Sequence, residues 1–387
     1  MSARPLFLGS EIYRRSSYGA KHPLAIPRVS TTIDLCRAMG WLPDAQYRDS
    51  PMATPAQLAR FHDPAYIDAL QRAEADGQVD AATAERHAIG RFGNPLFPEI
   101  FRRPATGAGA SLLAARLLLD GADTVYSPAG GTHHGRRDRA SGFCYLNDPV
   151  LGILALLDGG LERVLYVDLD AHHGDGVEAA FAGDARVLTV SVHEDGRWPF
   201  TGAVADRAGG SARNLPVPPG FNDCELAWVV EHALLPLGRG FMPQALVIQC
   251  GADALADDPL SRLELSNGAL WSAVTALLPL APRRLVLGGG GYNPWSVARC
   301  WAGVWAGLNG IDPAIPATPA AEAVLRALTW SRAAGRNPPA HWLTALADPP
   351  RCGPVRDAVR RVAAAALEPA SYERMLMAAT SNVSGRT

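Results

Sequence analysis

The chain has 387 residues, 48% of them hydrophobic, which is enough to bury a large core. Its formal net charge of -2, with no basic stripe along the sequence, argues against a nucleic-acid partner. No stretch approaches the ~18 consecutive apolar residues of a membrane span, and the apolar run Pro5-Leu6-Phe7-Leu8 is too short for a signal peptide, so a cytoplasmic protein with no membrane partner is expected.

In chain order, the Leu- and Ala-rich segment from about Pro104 to Asp120 reads as a helix that stops at Gly121. Short apolar runs without polar alternation follow at 124–126, 164–167, 187–192, 245–249 and 285–287. Strands buried on both faces have this character, and parallel sheets produce them. Helices are expected between them. One opens at Asp148-Pro149, with Asp as N-cap, and closes at Gly159; another opens at Asn293-Pro294 and runs through Trp301 and Trp305. Asp223 and Ser266 are further N-cap candidates. The alternation predicts an α/β fold with one main parallel sheet and helices on both faces. Residues 1–311 form the expected catalytic domain, and the Ala- and Pro-rich residues 312–387 are expected to pack on it. The six cysteines, at 36, 144, 224, 250, 300 and 352, form no C-x-x-C pair, and all are expected to be reduced.

The unusual polar residues fall where these strands end. Gly130 to Gly135, which includes His133 and His134, follows the first run. Asp168-Leu169-Asp170-Ala171-His172-His173-Gly174-Asp175-Gly176 follows the second, Ser191 and His193 end the third, Gly251-Ala252-Asp253 follows the fourth, and Gly288 to Tyr292 follows the fifth. Sites in open parallel sheets form outside the carboxyl ends of the strands. Asp170 and His172 lie two residues apart, so they project to one side of an extended backbone. With Asp253 they make a three-ligand N/O set that leaves a position open, as catalytic zinc requires; two carboxylates and one imidazole also suit Fe(II). His133 and His134 can divide base, acid and charge-stabilising roles, with Asp168 and Asp175 as the carboxylates behind them. Tyr292, at the end of a glycine run, can donate to a developing oxyanion. Cys144 reads as a small buried hydrophobe, and Trp295, Trp301 and Trp305 as a core stripe.

These segments, together with Ser141-Gly142-Phe143-Cys144-Tyr145-Leu146-Asn147-Asp148, resemble the zinc-dependent histone deacetylase superfamily, which includes acetoin-utilisation deacetylases and acetylpolyamine amidohydrolases. The resemblance runs in family order over roughly residues 20–310, and the stretch Asp258 to Ser266 is most similar to bacterial acetoin-utilisation deacetylases. It implies an arginase-deacetylase fold around an eight-stranded parallel sheet. It also implies zinc on Asp170, His172 and Asp253, with His134 as general base and acid, His133 as its electrostatic partner and Tyr292 as carbonyl polariser. Structural potassium is implied at Asp168, Asp170, His172, Ser191 and Val192, and again at Phe181, Asp184 and Val187. Phe143 and Trp198 match the aromatic walls of an acyl-lysine tunnel, with Gly142, Gly290 and Leu260 lining it and Arg28 at its inner end. Gly93 stands where peptide-acting members carry an acidic rim residue, which predicts a weak grip on a peptide backbone. The expected activity is hydrolysis of acetyl or related acyl groups from lysine in protein. The alternatives are deacylation of small acylated amines such as acetylpolyamines and, in another class, an inactive acyl-amine binding protein.

Overall fold

The computed structural model describes residues 4–368; the last part of the expected C-terminal region, 369–387, lies outside the described residues. Eight strands form one all-parallel sheet: β1 (Leu6–Gly9), β2 (Tyr47–Asp49), β3 (Thr124–Ser127), β4 (Val164–Asp168), β5 (Val187–Glu194), β6 (Ala212–Val217), β7 (Ala245–Gln249) and β8 (Arg283–Leu287). Their spatial order is β2-β1-β3-β8-β7-β4-β5-β6. The five apolar runs read from the sequence are β3, β4, β5, β7 and β8. Every residue of β3, β4, β5 and β7 is buried, as strands covered by helices on both faces must be.

The sheet core is closed by the helix Pro294–Leu308, whose Trp295, Trp301 and Trp305 are all essentially inaccessible. Each indole N–H finds a backbone carbonyl: Trp295 on Leu325 at 2.9 Å, Trp301 on Cys250 at 2.9 Å and Trp305 on Trp41 at 2.8 Å. Three large apolar rings are therefore buried without stranding a donor. Among the described residues no helix is long and apolar enough to cross a membrane.

Three local expectations are corrected. The helix Asp148–Asp158 is capped by Asn147, not Asp148, because the Asp148 carboxylate is taken by the backbone N–H groups of Gly131 (3.0 Å) and Thr132 (2.8 Å) and by the Ser111 hydroxyl (2.7 Å). Likewise Asn222, not Asp223, caps Asp223–Val229, since Asp223 accepts from Ser266 and Arg351. The cysteines are not all reduced: Cys224 is bonded to Cys352, with Cα atoms 5.0 Å apart, while Cys36, Cys144, Cys250 and Cys300 are free and buried. The physical cause is the return of residues 351–356 onto the Asp223 helix. Arg351 N–H donates to Asp223 at 2.7 Å and the Arg356 guanidinium grips Glu225 at 2.6 Å, which brings two thiols 128 residues apart in sequence within bonding reach.

Candidate active site

Four neighbouring strands, β3-β8-β7-β4, present their carboxyl ends side by side, and the polar segments meet there. β4 connects to β5 on one side and β7 to β8 on the other, so the crevice expected at a topological switch point lies between β7 and β4. β5, beside β4, ends on the same edge, and its His193 bonds Ser191 at 2.9 Å and the Gly202 carbonyl at 3.0 Å.

Asp170, His172 and Asp253 offer one ligand atom each within 4.8 Å of one another, and all three are buried. His172 Nδ1 lies 3.0 Å from Asp253 Oδ2 and 3.3 Å from Asp170 Oδ1. Burial pulls an imidazole down, yet hydrogen bonding to these carboxylates and their charge outweigh it and lift His172 to about 10. Two inaccessible carboxylates so arranged demand positive charge, and the N/O donor set fits a divalent metal such as zinc. The glycine run at 288–291 serves the same place: Gly290 N–H donates to Asp170 Oδ2 at 2.6 Å, and a Cβ on Gly290 would fall on the Asp253 carboxylate.

The imidazole pair sits beside this set, ring centroids 3.8 Å apart. His133 Nδ1 bonds Asp168 Oδ2 at 2.7 Å, and His134 Nδ1 bonds Asp175 Oδ1 at 2.8 Å. Their environments push them apart. Burial lowers both, but Asp168 and Asp170 overcome it at His133, which rises to about 9. At His134 burial and the neighbouring His133 charge win over Asp175, holding it at about 3. One ring is thus biased towards the cation and the other towards the neutral base. Tyr292 is buried; burial and the nearby Asp253 and Asp170 charges raise its phenol well above the ordinary value, so it stays a donor. Among the described residues its hydroxyl has no protein hydrogen bond, and its backbone N–H is held by Asp258 Oδ2 at 2.6 Å.

A small cavity of ≈ 40 Å³ is lined by His133, His134, Asp170, His172, Phe143 and Tyr292, with Gly142, Gly290 and Arg28 also on its wall. Arg28 donates to the Gly289 carbonyl at 2.7 Å. Phe143 packs edge-on to Tyr292 (centroids 6.1 Å), and Trp198 packs edge-on to His134 (4.6 Å). Leu260 packs against the cluster that holds Tyr292, and its N–H donates to Asp258 at 2.9 Å. Gly93 meets the rim: a Cβ there would lie 3.1 Å from Phe143 Cε1. Asp168 also receives Asp170 N–H at 3.0 Å, while Phe181, Asp184 and Val187 share one turn, with Asp184 N–H on the Phe181 carbonyl at 3.0 Å and Val187 N–H on Asp184 at 3.1 Å. Val192 is buried in β5 next to Ser191. Cys144 is buried, which pushes its thiol up and suits a packing residue.

Sequence reading missed the residues that brace the site. Tyr166 donates to Asp168 Oδ2 at 2.7 Å and reaches Gln249 Oε1 at 2.8 Å. The signal was available in the period of two, which puts Tyr166 and Asp168 on one face of β4. Asp148 and Asn147 grip the loop that carries the imidazoles; Asn147 Nδ2 donates to the Gly135 carbonyl at 2.9 Å. Asp258 and the Phe143-bound Asn94 (2.9 Å) had no readable signature.

The histone deacetylase domain model matches residues 22–308, and the chain belongs to that family. It is 37% identical over 281 residues to "Histone deacetylase 8" of Xenopus tropicalis, covering 71% of this chain and 76% of that protein. It is 36% identical over 293 residues to "Histone deacetylase RPD3" of Saccharomyces cerevisiae, covering 74% and 67%. An HDAC homolog crystallised with SAHA superposes with a TM-score of 0.90 at 33% identity over 95% of this chain and 100% of that one. An HDAC homolog from Aquifex aeolicus gives 0.89 at 33% identity, with the same coverage of both chains. Fold and family together support deacetylase activity.

Proposed function

We propose that the protein is a zinc-dependent amidohydrolase that removes acetyl or a related acyl group from the ε-amine of lysine in proteins or peptides. The observation that carries this is the pair of adjacent imidazoles, oppositely biased by their carboxylates, beside a buried three-donor set and a free phenol in one cavity.

Asp170, His172 and Asp253 would hold the metal. When bound, zinc supplies a Lewis acid that lowers the pKa of a water and polarises the acyl carbonyl. His134, neutral and with Nδ1 fixed by Asp175, takes the proton from the attacking water on Nε2 and returns it to the departing amine. His133, kept cationic by Asp168, stabilises negative charge developing beside it. Tyr292 donates its O–H to the same oxyanion. Phe143 and Trp198 clasp the aliphatic stem, with Gly142, Gly290 and Leu260 lining its path. Arg28, at the inner end, offers a cation to the carboxylate product. Potassium at the Asp168–Val192 and Phe181–Val187 positions is a structural ion in this reading, and iron(II) is the alternative at the ligand triad.

A second reading, hydrolysis of small acylated amines, is favoured by Gly93, which brings no acidic grip for a peptide backbone to the rim. The test is a hydrolysis panel on zinc-loaded protein: acetyl-lysine peptides, longer acyl-lysines and acetylated polyamines. Turnover of acyl-lysine substrates is expected. Binding of every substrate without turnover would leave only the acyl-amine binding protein.

A further inference from the structure

A second, larger cavity begins where the catalytic one opens. Gly142 lines both, and Trp198, which packs edge-on to His134, lines the larger one. A Cβ on Gly142 would come within 2.6 Å of His134 Cδ2, so only glycine lets this wall lie between the imidazole and the groove. The groove has a volume of ≈ 980 Å³ and runs from Trp198 and Phe92 to a bank of four arginines: Arg60, Arg136, Arg137 and Arg139. Asp138 is the one acidic side chain in its lining.

The arginines are not equivalent. Arg136 is held by Asp175, the carboxylate behind His134, and so belongs to the catalytic framework. Arg60 forms a two-point pair with Asp158, both contacts 2.7 Å, with both side chains about half exposed. Such a surface pair contributes little and can be exchanged for another anion at small cost. Arg137 and Arg139 are exposed, and among the described residues neither side chain has a carboxylate partner. Phe92, 71% exposed and held at φ 49, leaves an aromatic face bare at the same mouth. A bulky residue in the left-handed region is strained, and strain of this kind collects at binding sites.

We infer that this groove is a substrate-specificity site: it receives acidic side chains next to the acyl-lysine while the lysine stem enters between Trp198 and Phe143. The inference rests on the deacylase reading above and names its substrate class. A rim with Gly93 lacks an anionic grip on backbone N–H groups, and the arginine bank offers the opposite chemistry, a cationic grip on carboxylates. It also sets the protein against polycationic amines, which would meet the guanidinium groups of Arg137 and Arg139, without carboxylate partners among the described residues, beside the tunnel mouth.

The experiment compares kcat/KM for three acetyl-lysine peptides of equal length, flanked by Asp/Glu, by Ala or by Arg, and for acetyl-lysine methyl amide, which is too short to reach the groove. The acidic peptide is expected to exceed the Ala peptide by about five- to tenfold at low salt, with the Arg peptide slower than both. The ratio should shrink in 0.5 M salt, where the screening length falls to a few Å. R137Q/R139Q should abolish the preference and leave methyl amide hydrolysis unchanged, and R137E/R139E should invert it. Equal rates for the three peptides, or a preference that survives R137Q/R139Q, overturns the groove while leaving the deacylase reading intact. Failure to hydrolyse even the methyl amide overturns both.

Discussion

The floor and the rim of the site are built on different physical terms. On the floor, Asp168, Asp170 and Asp253 are at most 1% exposed, and each carboxylate accepts a further hydrogen bond: Asp168 from Tyr166 on its own strand, Asp170 from Gly290 and Asp253 from Ala171. At the rim, Phe92 is 71% exposed at positive φ, and Trp198 is 38% exposed. Charge in a buried, fully bonded network is worth more and tolerates less than charge at a wet surface. Substitutions on the floor should therefore act all-or-none on chemistry, and substitutions at the rim should grade the choice of substrate.

Asp170→Asn is the harshest test. It removes one donor of the proposed zinc set and unbalances His133 and His172 together, so activity should fall by more than about 10³ and bound zinc should be lost with it. Full zinc content in that variant would show that the triad does not hold the metal. Tyr292→Phe comes next. It should lower kcat by about 10²–10³ with zinc content unchanged, because the donor acts on charge that exists only in the transition state; near-normal turnover removes the phenol from the chemistry. Tyr166→Phe sharpens the comparison, since it touches neither substrate nor any of the three residues proposed to hold zinc. Loss of its bond to Asp168 should cost about 10–100-fold in metal affinity or activity, and a change below twofold in both would mean that the floor is less tightly coupled than its hydrogen bonds suggest. Phe92→Ala marks the other extreme. It should leave stability within about ±0.5 kcal/mol and change only KM, by a few-fold; a large drop in kcat would break the division between floor and rim.

The same division governs what the sequence made legible. The inner strands β3, β4, β5, β7 and β8 announced themselves as unbroken apolar runs because helices cover both their faces. The missed strands are at or near the sheet edges. β2 is only Tyr47-Arg48-Asp49, and β6 carries Pro216, which an edge strand tolerates because one side needs no ladder donor. β1 is a four-residue strand overlapping the short apolar run Pro5 to Leu8, too brief to show a strand's pattern. In the site, the residues that bring chemistry were readable because Asp-x-His and His-His are unusual after a strand. The residues that hold them were not: Asp258, Asn94 and Asp148 act through contacts between segments 34, 49 and 17 positions apart, which no local pattern encodes. The Cys224–Cys352 bridge was missed for the same reason, with 128 residues between its partners.

The order β3-β8-β7-β4 has a consequence in time. As the chain is synthesised, His133, His134, Asp170 and His172 emerge early, but the two strands that belong between β3 and β4 do not yet exist. β7 and β8 must enter the middle of the sheet, not add to its edge, before Asp253 can close the ligand set and Tyr292 can face the imidazoles. Pairings this distant in sequence form late because their loop closure costs entropy before any contact rewards it. A nascent chain that stops short of Asp253 holds both imidazoles and two residues of the proposed metal triad, yet it has no complete centre. The proposed centre is therefore complete only once the last two strands of the chain have entered the middle of the sheet.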